Sequence, residues 1–141
     1  MNLGGNNKIT IHSSTKNLAQ IRSFVEEKAL EMGFDPTMAN QIVLSVDEAC
    51  TNIIKYTHKH NDSEEIEIKV DTNSGQIKIT INYHGESFNP NEANEPDMNK
   101  YFENFQVGGL GIPLMKKFMS DIVYLHKKPD INSLILTKFL P

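Results

Sequence analysis

The segment EEIEIKVDTNSGQIKITINY, residues 64–83, alternates apolar and polar side chains on both sides of Asn73-Ser74-Gly75. A period of two marks a strand with one buried face, and a short glycine-bearing turn joins two such strands into an antiparallel hairpin. The same alternation opens the chain in KITIH (8–12). It returns near the end, where IVYLHKK and SLILTKFL form a second hairpin around Pro129–Asn132. A chain whose strands come as hairpins builds a largely antiparallel sheet, and such a sheet needs a second layer over its apolar face.

Helices supply that layer. Within 16–32, Leu18, Ile21, Val25 and the Ala29/Leu30 pair recur at helical spacing, with Ser13, Ser14 or Thr15 to cap the start and Gly33 to stop the end. Asp35-Pro36 restarts the helix, a capping carboxylate followed by proline at the first position. From there Met38, Ile42, Val46, Ala49 and Ile53 predict a helix of about twenty residues. Residues 89–107 are polar and hold Pro90 and Pro96; a loop of this length is often a lid or binding segment. GGLGIPLMKKFMSD (108–121) is a glycine turn opening a short helix, with Pro113 in its first turn. The order β-α-α-β-β-loop-α-β-β predicts an α+β fold. It is a two-layer sandwich of mostly antiparallel sheet with helices on one face, in a single domain spanning 1–141.

Composition limits the partners. With 38% hydrophobic and 23% charged residues the chain reads as a soluble globular domain. A net charge of −4 without a basic stripe argues against direct nucleic-acid binding. No apolar run approaches a membrane span, and a lone cysteine, Cys50, suits a reducing cytoplasm. Cys50 lies on the apolar side of its helix and reads as a structural thiol. The histidines, His58 and His60 among them, read as solvated and scattered rather than as a metal site.

Two constellations carry chemistry. In SVDEACTNIIKYTH (45–58), Glu48 and Asn52 are one turn apart and about 40° from each other around the helix, on the flank of the apolar face. Glu48 is placed to take a proton from a hydroxyl or water. Asn52 offers a hard carbonyl oxygen of the sort Mg²⁺ accepts beside phosphates and water. The same pair also reads as a polar helix shoulder making local hydrogen bonds. Asp47 points about 100° away from Glu48, so the two are not an acid/base couple. The second constellation is Gly108-Gly109-Leu110-Gly111, where glycines permit close backbone approach and a helix start offers free N–H groups to phosphate. A plain turn explains those glycines equally well.

Order and spacing join these pieces. E-x-x-x-N on a helix, a strand ending in a glycine turn, a long loop, then G-G-L-G before a helix resembles the GHKL ATPase fold. The whole chain is most similar to its small branch of anti-sigma-factor serine/threonine kinases. DEACTNIIKY resembles that branch's N-box, HGESF part of its first glycine box, and GGLGIPLMKKFMSD its second. The resemblance implies Glu48 as general base on a partner's serine and Asn52 as the Mg²⁺ ligand on ATP. It implies Gly85 at the border of the adenine pocket, and Gly108, Gly109, Leu110 and Gly111 around phosphate beneath the 89–107 lid. The implied partners are a sigma factor and an anti-sigma-factor antagonist, with a homodimer through the outer side of the first helix as a further possibility.

The sequence departs from that family at one decisive place. The first glycine box normally reads D-x-G, its aspartate accepting from the adenine amino group; here Tyr83 stands there, in Tyr83-His84-Gly85. An unpaired adenine donor costs ~1–3 kcal/mol, about one to two decades of affinity. Asn82 is a possible substitute acceptor, but strand alternation turns it to the opposite face. The lid segment carries Glu92, Glu95, Asp97 and Glu103 against Lys100, a poor cover for a triphosphate. Arg22, the only arginine, lies far upstream, so no arginine finger is evident in the chain. Two functions are therefore expected: a serine kinase with altered adenine recognition, or the same fold kept as a module that sequesters a protein partner without ATP.

Overall fold

The computed structural model describes residues 7–85, 111–127 and 129–141. Its elements are β1 (Lys8–His12), α1 (Leu18–Met32), α2 (Pro36–Asn52), β2 (Glu65–Asn73), β3 (Gln76–His84), α3 (Gly111–Phe118), β4 (Asp121–Lys127) and β5 (Ile131–Phe139). The described strands form one antiparallel sheet of five, in the order β1-β2-β3-β5-β4. This is the α+β sandwich expected from the alternation. Pairing begins at Ile131, opposite Lys127, so Ile131 and Asn132 belong to β5 and not to the turn before it. That shift matters, because Asn132 is buried.

The sheet separates its faces as the period of two requires. Ile66, Ile68 and Val70 of β2, Ile77, Ile79 and Ile81 of β3, and Leu134 and Leu136 of β5 are buried. Each fully buried side chain of this size is worth roughly 1.5–3 kcal/mol of removed apolar surface. Against them pack Ile21, Val25 and Ala29 of α1 and Ala39, Ile42, Val46 and Ala49 of α2. The caps act as expected: Asp35 accepts from the Met38 amide at 2.8 Å, and Gly33 ends α1 with φ +111°. Met115 of α3 and Met119 just beyond it enter the same core, and Lys138 donates to the carbonyl of Phe118, placing a cation at the end of α3.

α2 does not end as a regular α-helix. Ile53–Thr57 makes a π-helical turn, and the His58 amide bonds the Ile53 carbonyl at 2.8 Å, five residues back. The extra residue per turn swings His58 inward. The expectation of a solvated histidine is thus corrected: His58 is 6% exposed. Its Nε2 lies 2.7 Å from the carbonyl oxygen of His84, and its Nδ1 lies 2.7 Å from Ser13 Oγ. A carbonyl only accepts, so Nε2 carries a proton and donates to it, while Nδ1 pairs with the Ser13 hydroxyl. One side chain thereby ties the exit of β1, the exit of α2 and the end of β3. His58→Ala leaves both partners unsatisfied and should lower stability by about 2–4 kcal/mol in urea unfolding, with Ser13→Ala costing about 1 kcal/mol.

Candidate functional site

The candidate residues are set on two walls. α2 rides on the core through Ile42, Val46, Ala49 and Cys50, which lifts Glu48 and Asn52 onto its shoulder as the spacing predicts. Burial pushes the Glu48 carboxyl above its ordinary value, the neighbouring Asp47 adds to the rise, and Lys55 offsets part of it. Asn52 is 5% exposed, and its Nδ2 has no hydrogen-bond partner among the described residues. A buried amide left without a partner costs about 1–3 kcal/mol. Cys50 is buried, and burial, with Asp47 as a smaller cause, drives its thiol far above the range of a nucleophile.

The second wall is the end of β3. Tyr83 is half-buried on the helix-facing side with Ile77, Ile79 and Ile81, and its ring meets His58 edge-on, centroids 6.1 Å apart. Asn82 points to the open face, as strand alternation requires: it donates to Glu67 at 2.9 Å and accepts from Ser133. It is therefore no substitute for a helix-facing acceptor. Gly85 follows at φ +154°, and a Cβ there would stand 2.4 Å from Thr57 Cγ2. Only glycine fits where the strand end passes the π-turn. Its amide donates to the Asp130 carbonyl at 2.8 Å, and its own carbonyl accepts from Asn132 Nδ2 at 3.1 Å. Asn132 is itself fixed, accepting from Tyr124 and from His126 at 2.9 Å.

Gly111 is the first residue of α3, which packs beside α2. Gly108, Gly109 and Leu110, together with the 89–107 segment, lie outside the described residues. A cavity of about 210 Å³ at the end of the sheet, lined by Thr10, Glu65, Glu67, Asn82, Tyr83, His84 and Ile131, is a poor triphosphate site. Glu65 and Glu67 would repel a polyanion, and neither Glu48 nor Asn52 borders it.

Sequence reasoning missed several contributors. His58, Ser13, Thr57 and Asn132 act through contacts between distant segments, and no local pattern announces them. Arg22 is the clearest case: far along the chain from α2, its Nε donates to Asp47 Oδ1 at 2.7 Å, in the residue before Glu48.

The sequence that folds this way matches a known family. The histidine kinase-like ATPase domain matches over residues 11–138, and the chain belongs to that family. It is similar to the serine-protein kinase RsbW of Bacillus mycoides (strain KBAB4), 28% identical over 137 residues that cover 94% of this chain and 84% of that protein. The serine-protein kinases RsbW of Bacillus cereus (strain ATCC 10987 / NRS 248), at 28%, and Bacillus thuringiensis (strain Al Hakam), at 27%, match over the same shares.

The Gly85 contact yields a direct check. Gly85→Ala should lower the thermal midpoint, and Thr57→Ser, which removes the clashing methyl, should restore part of the loss. The remainder is the strain of a positive φ, which no change at Thr57 relieves.

Proposed function

We propose that this protein is an anti-sigma-factor serine kinase that uses ATP and Mg²⁺ to phosphorylate a serine of an antagonist protein, with adenine recognition altered at Tyr83. The observation that carries the reading is the α2 shoulder. A half-buried carboxylate of raised basicity stands one turn from a buried carboxamide whose donor is unpaired among the described residues. Its similarity to serine-protein kinases along 94% of the chain supports the same reaction class. Glu48 takes the proton from the serine hydroxyl, the serine oxygen bonds the γ-phosphorus, and the bond to the β-phosphate breaks to release ADP. The Asn52 Nδ2 donor suits phosphate or water oxygens, and its carbonyl Oδ1 would hold Mg²⁺ on the triphosphate. When bound, the ion supplies neutralisation of the phosphate charge. By the resemblance, Gly85 would border the adenine pocket, and Gly108, Gly109, Leu110 and Gly111 would hold phosphate. The sigma factor is the protein held until the antagonist competes for it.

A second reading has its own observation. Tyr83 places an uncharged ring on the helix-facing side, braced edge-on by His58, where the resemblance puts an adenine-reading carboxylate. If that ring fills the base position, the protein sequesters its partner without nucleotide. Calorimetric titration with ATP, with and without Mg²⁺, separates the two. Magnesium-dependent binding in the micromolar range is expected, strengthened by about one to two decades in Tyr83→Asp. No heat up to millimolar nucleotide on folded protein would leave the sequestering reading.

Glu48→Gln should reduce phosphotransfer by about 10²–10⁴-fold. Its stability should move the other way. A carboxyl raised in the folded state binds its proton more tightly there than in the unfolded chain, so stability falls as pH rises from the ordinary carboxylate value through the raised one. Above that window Glu48 is a burden that glutamine lacks. Urea unfolding at neutral pH should therefore find Glu48→Gln at least as stable as the native chain.

A further inference from the structure

We propose that two copies of this chain join edge to edge through β4, each strand pairing antiparallel with its twin so that one sheet runs through both. β1 and β4 are the edges of the described sheet. An edge strand presents backbone groups on which another strand can build, and chains usually guard it with proline, a bulge or a charge in mid-strand. β4 carries no such guard. It is seven residues long, and between Asp121 and Lys127 it reads Ile-Val-Tyr-Leu-His, without proline, glycine, acid, lysine or arginine. Its pairing with β5 runs without a bulge from Asp121 opposite Thr137 to Lys127 opposite Ile131. Asp121 and Lys127 are exposed and have no ion-pair partner among the described residues.

The order of residues in β4 points to a second copy as the partner. Turned antiparallel to itself about residue 124, the strand sets Asp121 against the partner's Lys127, and the two-fold axis repeats that pair at the other end. Val123 then meets the partner's Leu125 on the same face. Opposite charges and apolar pairs facing each other across strands stabilise a sheet, whereas like charges destabilise it. These side chains lie on the face that the helices leave open, since Leu125 is opposite Ser133, which bonds the open-face Asn82. Leu125 is 53% exposed, and pairing at β4 removes apolar surface of this kind from water in both copies. Among the described residues the exposed large apolar side chains include Leu125, Ile131 and Phe139 on β4 and β5, against Leu30 alone on α1. The other edge fits a twin badly. β1 turned on itself sets Lys8 against His12, and Lys8 already lies 3.8 Å from Glu67. α2, which carries Glu48 and Asn52, takes no part, so the contact is independent of the kinase reading.

The test is a charge exchange read by sedimentation velocity on the full chain over a range of concentrations. A monomer–dimer equilibrium is expected, weakening as salt rises. Asp121→Lys turns both cross-strand pairs into like charges and should raise the dissociation constant about tenfold or more, and Lys127→Asp should do the same. Asp121→Lys combined with Lys127→Asp restores opposite charges in exchanged places and should return association close to the native value. Both positions are exposed, so circular dichroism should find every variant folded. Leu30→Lys on α1 should leave the dimer intact. A native chain that stays monomeric at every concentration overturns the proposal. So does a dimer indifferent to Asp121→Lys, or one that the charge exchange fails to recover. A dimer broken by Leu30→Lys and unmoved by Asp121→Lys would assign the contact to α1 instead.

Discussion

The bonds of one imidazole hold the two walls of the site at a fixed separation. His58 donates to the end of β3 and bonds Ser13 at the exit of β1, while its own backbone closes the π-turn that ends α2. Sheet and helix layers pack through apolar side chains, and apolar contact alone tolerates sliding. Two hydrogen bonds buried at the end of the layers do not, because each lost bond strands a polar group away from water. The position of Asn52 relative to Tyr83 and Gly85 follows from that constraint. Gly85 can pass within contact of Thr57 only because the π-turn brings Thr57 there, and His58 fixes where the turn ends.

The α2 shoulder shows the opposite economy. A leucine at position 48 or 52 would bury more apolar surface and leave no amide unpaired. The chain instead keeps a carboxylate whose charged form burial disfavours and a carboxamide whose donor has no partner among the described residues, one turn apart. Local rules that hold along the rest of α2, where Asp35 caps and Ile42, Val46 and Ala49 pack, are broken at these two residues. Departures of this sort gather where a ligand or reaction supplies what the folded chain lacks. The core can carry the cost, since Ile77, Ile79 and Ile81 are fully buried beneath.

Much of this was legible in the sequence, and the division is physical. Period-two alternation gave β2 and β3, spacing gave α1 and α2, and Gly33 and Asp35-Pro36 gave their boundaries, because these depend on residues close in sequence. That Glu48 and Asn52 share one helical stripe was legible for the same reason. What stayed hidden depends on contacts between segments far apart. His58 is a surface histidine by any local rule until a π-turn rotates it inward to meet Ser13, forty-five residues earlier. Arg22 seemed remote from α2 because distance along the chain says nothing of two helices packed side by side. Asn132 looked like a turn residue, since turn chemistry and strand pairing compete there and the pairing with β4 prevails.

Tyr83 belongs to the same balance. Its ring packs edge-on against His58 and beside the apolar side chains of β3, so it helps hold the imidazole where both of its bonds form. A carboxylate at position 83 would remove that ring contact and bring a charge into a half-buried place. Residue 83 therefore acts on two things at once: the surface that the end of β3 presents, and the packing of the tie between sheet and helix.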